Sequence, residues 1–119
     1  MIDHITLRVS DYPRSKAFFT AALKPLGYEV LMEFEGFAGL GADKKADFWL
    51  AQGEQKPAHI AFRARNHASV HAFYDAAIKA GGKDNGGPGP RKDYHPNYYG
   101  AFVIDPDGHN IEACCHHAE

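Results

Sequence analysis

The sequence predicts an α+β fold made of two βαβββ modules, residues 1–54 and 55–119, within a single domain 1–119. The first observation is an internal repeat: His4-Ile5-Thr6-Leu7-Arg8 returns as His59-Ile60-Ala61-Phe62-Arg63. A displacement of 55 residues aligns His4–Gly27 with His59–Gly82, and nine of the 24 pairs are identical. Unrelated sequences of average composition would give about two identities over such a window. The second observation is size. A chain of 119 residues that is 45% hydrophobic supports one compact core but not two independent ones, so the copies must share it. The third is that each copy passes from strand-like alternation to a helical stripe at the same place.

In order, residues 2–9 alternate, with Ile5, Leu7 and Val9 on one side and His4, Thr6 and Arg8 on the other. Asp11 is a helix N-cap, Pro13 suits a first turn, and Phe18, Ala21 and Ala22 carry an apolar stripe that Pro25 and Gly27 end. Strands follow at 28–34, 37–41 and 47–51, separated by Glu35-Gly36 and by Asp43-Lys44-Lys45. The second copy repeats the strand from Ala58 and the helix from Asn66, with Val70, Phe73, Ala76, Ala77 and Ala80 on one stripe before Gly81-Gly82. Thereafter it is about eight residues longer than the first, in the segment Asn85–Asn97, where Gly and Pro argue against regular structure. That segment is either a surface loop or, given Arg91, Tyr94, His95 and the following Tyr98 and Tyr99, a lining of the site. A strand over 99–105, a turn at Asp105-Pro106-Asp107-Gly108 and a last strand over 110–115 complete the copy.

Composition excludes several classes. A net charge of −2 without a basic run argues against nucleic acid or an anionic membrane as partner and leaves a small molecule as the default ligand. No apolar run reaches transmembrane length, the N-terminus lacks a signal-peptide pattern, and the adjacent Cys114 and Cys115 suit free thiols, so a cytoplasmic location is expected.

Chemistry enters through parity. If Ile111 and Ala113 face the core, Asn110, Glu112 and Cys114 turn to the face that carries His4 and His59. Two imidazoles and a carboxylate with open positions suit one divalent ion: Fe, Mn, Ni or Zn. The alternative is a degenerate, metal-free pocket. Arg8 and Arg63 either pair with Glu33, Glu35 or Glu112 or hold an anionic substrate. His67, His71, His109, His116 and His117 are expected to be solvent-facing or turn residues. Cys114-Cys115-His116-His117 has the composition of a zinc site, but adjacent ligands cannot reach tetrahedral positions as spaced pairs do.

The paired βαβββ pattern, the His that opens each copy, and Asp105-Pro106-Asp107-Gly108 ahead of Asn110-Ile111-Glu112 resemble the vicinal oxygen chelate superfamily of glyoxalases, bleomycin-resistance proteins and extradiol dioxygenases. The resemblance covers essentially the whole chain and implies that each module curls its sheet into a partial barrel. It places metal ligands at His4, His59 and Glu112. The fourth position, a Glu in glyoxalase I, is Trp49, and an indole cannot ligate. A dioxygenase-like or transferase-like enzyme acting through vicinal-oxygen chelation is therefore implied over glyoxalase I, with metal-free sequestration of bleomycin-resistance type as the alternative. Proton transfer falls to Thr6, His95 or Tyr98, and substrate contacts to Arg8, Trp49, Arg63, Arg91 and Tyr99. Trp49 is either core filler or an aromatic wall. Open sheet edges, and the pairing common among relatives, imply a homodimer.

Overall fold

The computed structural model describes residues 2–54 and 56–119. Strand β1 (Ile5–Val9) leads into helix α1 (Tyr12–Leu23), whose first turn is capped when the Asp11 side chain accepts from Arg14 N at 3.2 Å. A 3-10 turn (Lys24–Leu26) closes on Gly27, which takes a left-handed φ of 90° that a side chain would resist. Strands β2 (Glu29–Phe34), β3 (Phe37–Gly41) and β4 (Phe48–Gln52) then form a sheet of order β1-β4-β3-β2, with β1 parallel to β4.

The second half repeats this plan with β5 (His59–Arg63) and α2 (His67–Lys79), where Asn66 accepts from Ser69 N at 2.8 Å. It continues with β6 (Lys83–Asp84), β7 (Gly89–Pro90), β8 (Tyr99–Ile104) and β9 (Asn110–Cys115), and β5 is parallel to β9. The expectation of no regular structure over 85–97 is corrected at one point. Gly89 and Pro90 pair with Gly100 and Tyr99 of β8, and Lys83-Asp84 pair with the far end of the same strand. The strand matching β2 is thus present but broken at Asn85–Pro88. Pro90 is tolerated because it lies on the sheet edge, where no further strand asks for its missing N–H.

Both helices pack on one side of the sheets. Leu7 and Val9 of β1, Leu40 of β3, Phe48 and Leu50 of β4, Phe62 of β5, Val103 of β8 and Ile111 of β9 join Phe18, Phe19 and Phe73 in one buried cluster spanning both halves. Edge-to-face aromatic contacts bridge the junction: Phe19–Phe48 at 5.0 Å, Phe48–Phe62 at 5.1 Å and Tyr28–Phe62 at 5.5 Å. Each contributes about 0.5–1.5 kcal/mol beyond its buried area.

A second tie is polar and corrects the expectation for His109. That residue is fully buried: its Nδ1 accepts from Ala58 N at 2.9 Å, and its Nε2 reaches the carbonyl of Arg8 at 3.4 Å. Its ring therefore links the two halves as a neutral donor and acceptor. Asp107 in the adjoining turn accepts from Ser10 N at 3.1 Å and from the Ser10 hydroxyl. Among the described residues no helix is long and apolar enough to cross a membrane.

Candidate functional site

The face of each sheet away from the helices carries the chemistry. In β9 the odd positions Ile111 and Ala113 go to the core, so Glu112 points the other way, yet it is only 2% exposed. A carboxylate so buried requires partners. Two are present: His59 Nε2 lies 3.1 Å from one carboxylate oxygen, and the Tyr98 hydroxyl donates to the other. Room comes from Gly100, where an added Cβ would sit 3.3 Å from the Glu112 oxygen and from the Tyr98 ring. Burial, and then the bond to Glu112, raise the Tyr98 pKa well above the ordinary phenol range, so this hydroxyl keeps its proton.

The His59 tautomer follows from its other contact. Nδ1 lies 3.1 Å from the Asn110 carbonyl, which can only accept, so Nδ1 carries a hydrogen, and in the neutral ring Nε2 then presents a lone pair to Glu112. Two acceptors facing each other at 3.1 Å require a cation between or on them, either a proton or a metal. Ligand atoms in adjacent positions around an ion at about 2.0–2.2 Å lie about 3 Å apart, so the pair fits an ion. A ring N–H anchored on a backbone carbonyl is also how metal-binding imidazoles are usually oriented.

His4 is placed differently. Its Nδ1 is 2.9 Å from Asp3 Oδ1, again leaving Nε2 unprotonated in the neutral ring, and its side chain is 57% exposed. Within one chain His4, His59 and Glu112 do not form a cluster with all ligand atoms within 4.8 Å; among the described residues only His67, Cys115 and Glu119 do. Trp49 is half-buried on the open face of the first sheet. It stacks on Phe37 at 4.8 Å and 17°, and Phe37 stacks on Phe34 at 6.2 Å. Phe34 is 56% and Met32 48% exposed, so this face is an aromatic and apolar wall. Thr6 pairs with Trp49 across β1 and β4 and belongs to the same face.

Two other expected site residues, Tyr99 and Arg91, are engaged away from Glu112. Tyr99 points to the helix side, its ring 3.7 Å from that of His67 and its hydroxyl 2.7 Å from His71 Nε2. Strand alternation sends it opposite to Tyr98 and away from Glu112. The Arg91 guanidinium is bonded to the carbonyls of Gly87 at 2.9 Å and Gly89 at 2.9 Å and lies over the Phe102 ring, so it staples its own loop. His95 packs against Tyr98 and hydrogen-bonds His116. Arg8 and Arg63 are exposed, and two of the three carboxylates expected to neutralise them have other partners: Glu33 takes Lys16 Nζ at 2.6 Å and the Tyr12 hydroxyl, and Glu112 takes His59.

The sequence profile described as Glyoxalase/Bleomycin resistance protein/Dioxygenase superfamily matches residues 1–113. This chain belongs to that superfamily. Among solved structures it is similar to a glyoxalase/bleomycin resistance protein from Albidiferax ferrireducens, at 25% identity and TM-score 0.82, covering 97% of this chain and 98% of that one. It also resembles in fold a glyoxalase/bleomycin resistance protein/dioxygenase family enzyme from Burkholderia phytofirmans, at 17% identity and TM-score 0.75, covering 97% and 98%. A third is the fosfomycin resistance protein from Mesorhizobium loti, at 18% identity and TM-score 0.70, covering 97% and 91%. No curated protein matches the sequence.

Sequence reasoning missed the orienting partners of His4 and His59, Asp3 and the Asn110 carbonyl, and the apolar wall beside Trp49. Asp3 was visible as a carboxylate adjoining His4. The wall was legible too, since Met32, Phe34 and Phe37 flank a turn with the parity of Trp49.

Proposed function

We propose that this protein is a divalent-metal-dependent enzyme acting on a small molecule with two adjacent oxygens, of dioxygenase-like or transferase-like type. One ion of Fe, Mn, Ni or Zn would be held by His59 and Glu112 of one chain and by His4 of a second copy in a homodimer. The observation that carries this is the 3.1 Å approach of His59 Nε2 to the buried Glu112 Oε1, with His59 Nδ1 anchored on the Asn110 carbonyl. When bound, the ion supplies Lewis acidity to the substrate oxygens.

The remaining work falls to side chains. Tyr98, which retains its proton, holds the second oxygen of Glu112 and fixes the carboxylate plane. Asp3 orients His4 so that Nε2 points outward. The Trp49–Phe37–Phe34 wall stacks on the apolar part of the substrate and excludes water, and the exposed Arg8 and Arg63 meet anionic substituents. Thr6 and His95 are the groups for moving a proton: Thr6 shares the face of Trp49, and His95 adjoins Tyr98.

The exposed apolar wall also favours a second reading, sequestration of an aromatic molecule without metal or turnover. Metal analysis of protein purified without chelator separates the two. A loss of up to one ion per chain, relative to wild type, in His59→Ala or Glu112→Ala supports the enzyme; metal content equal to wild type in both variants removes the assignment, and no metal under any loading leaves sequestration.

A further inference from the structure

Cys114 and Cys115 are both buried and both free, but strand alternation sends them to opposite sides of β9. Cys114 joins the face of Glu112 and Tyr98. Cys115, at the end of the strand, goes to the helix side, where β8 sets it opposite Tyr99. There its sulfur meets two groups remote in sequence. The ligand atoms of Cys115, His67 and Glu119 all lie within 4.8 Å of one another.

We propose that these three side chains form a second metal site, for Zn(II), separate from the His59–Glu112 centre. The donor set is a thiolate, an imidazole and a carboxylate. Sulfur disfavours Mg(II) and Ca(II), the carboxylate disfavours Cu(I), and zinc accepts all three donors. Four-coordinate zinc with bonds of about 2.0–2.3 Å spaces its ligand atoms roughly 3.3–3.8 Å apart, a modest contraction of the present cluster. His67 Nε2 and Glu119 Oε2 are already 3.8 Å apart.

Each ligand is held by its surroundings. The His67 ring lies flat on Tyr99, 3.7 Å away and 7° from parallel, which fixes its plane. Glu119 Oε2 accepts from His67 N at 2.7 Å, docking the carboxylate on the first residue of α2. Among the described residues the Cys115 sulfur receives a hydrogen bond from the His117 backbone N–H alone, at 3.5 Å, too little to compensate a buried thiolate. A zinc ion would compensate it: thiolate and carboxylate together neutralise two positive charges, and the thiol proton leaves to solvent on binding. Beside the cluster a cavity of about 190 Å³, lined by His67, Asn97, Tyr99, His117 and Glu119, leaves a fourth position to His117 or water. Such an ion would fasten residues 116–119 to α2 and close one end of the second sheet. The adjacent cysteines therefore do not chelate together; only the second one does, with ligands the fold brings to it.

The test is anaerobic Co(II) titration of the full chain, followed by its near-ultraviolet thiolate-to-cobalt charge-transfer band. Wild type should show the band saturating at one ion per chain. It should persist in His59→Ala/Glu112→Ala and in Cys114→Ser, and vanish in Cys115→Ser. His67→Gln and Glu119→Gln, at partly exposed positions, should each weaken the affinity read from the band about tenfold or more. No charge-transfer band in wild type, a band that follows Cys114 instead of Cys115, or unchanged affinity in both His67→Gln and Glu119→Gln would overturn the site. Loss of the His59–Glu112 centre alone would leave it intact.

Discussion

Trp49 and Glu112 occupy the same place in the two sheets. Trp49 lies opposite Thr6 on the parallel β1/β4 ladder, Glu112 lies opposite Ala61 on β5/β9, and Thr6 and Ala61 are themselves repeat partners. Where the second sheet turns a buried carboxylate toward an imidazole, the first turns an indole onto Phe37. The proposed metal set is therefore three-ligand, with at least two positions left for water or substrate.

Trp49→Glu should supply a fourth ligand, a second carboxylate beside Glu112. Metal affinity should rise and binding of aromatic ligands should fall, both read by calorimetric titration. Wild type loaded with Ni(II) or Zn(II) should not isomerise the methylglyoxal–glutathione adduct at an enzyme-like rate. Unchanged metal affinity in Trp49→Glu would show that position 49 does not face the ion.

The indole also needs the absence of a side chain beneath it. A Cβ at Gly39 would lie 2.6 Å from Trp49 Cζ3, and the rigid ring cannot yield without leaving Phe37. Gly39→Ala should destabilise the protein by about 1–3 kcal/mol in denaturant unfolding. In a Trp49→Ala background most of that cost should disappear, because the three nearest atoms, at 2.6–2.9 Å, all belong to the indole. An equal cost in both backgrounds would assign the glycine to backbone needs instead.

Asp105 gives a pH dependence of known sign. It is buried; Oδ1 accepts from Asp107 N at 2.9 Å and His109 N at 2.8 Å, while Oδ2 has no hydrogen-bond partner among the described residues. Burial raises its pKa, outweighing the two backbone donors. A carboxyl with a folded pKa above its unfolded value of about 3.9 subtracts stability above the folded pKa, and the penalty fades as pH falls toward the unfolded value. Asp105→Asn keeps the Oδ1 acceptor without the charge. Its stability relative to wild type should therefore be more favourable at pH 7 than at pH 4 in paired thermal melts, and a pH-independent difference would contradict this.

Much of the fold was legible because its signals are local. Asp11 and Asn66 cap the two helices, and alternation over 110–115 places Ile111 and Glu112 on opposite faces. Signals that depend on a distant partner were not. The pairing of Gly89-Pro90 needs the edge of β8, and the burial of His109 needs the Ala58 amide and the Arg8 carbonyl. The site was half legible for the same reason. Parity gives a face but not a distance, so it grouped His4 with His59 although one chain does not bring their nitrogens and Glu112 into one cluster. Tyr99 was grouped with Tyr98 by proximity in sequence, whereas β8 turns the two to opposite sides.

Sharing of the proposed ion between two copies is tested most directly by mixing two defective chains. With Cys115→Ser in every chain, the reference included, His4→Ala and Glu112→Ala should each bind little metal alone, while running in light scattering at about twice the chain mass of 13.1 kDa. Refolded together in equal amounts, half the dimers are mixed, and each mixed dimer joins an intact His4 to an intact His59–Glu112 pair at one of its two sites. Metal content of the mixture should therefore recover to about a quarter of the wild-type stoichiometry. A mixture that binds no more metal than its separate components, or a His4→Ala chain that binds like wild type, would contradict the shared centre.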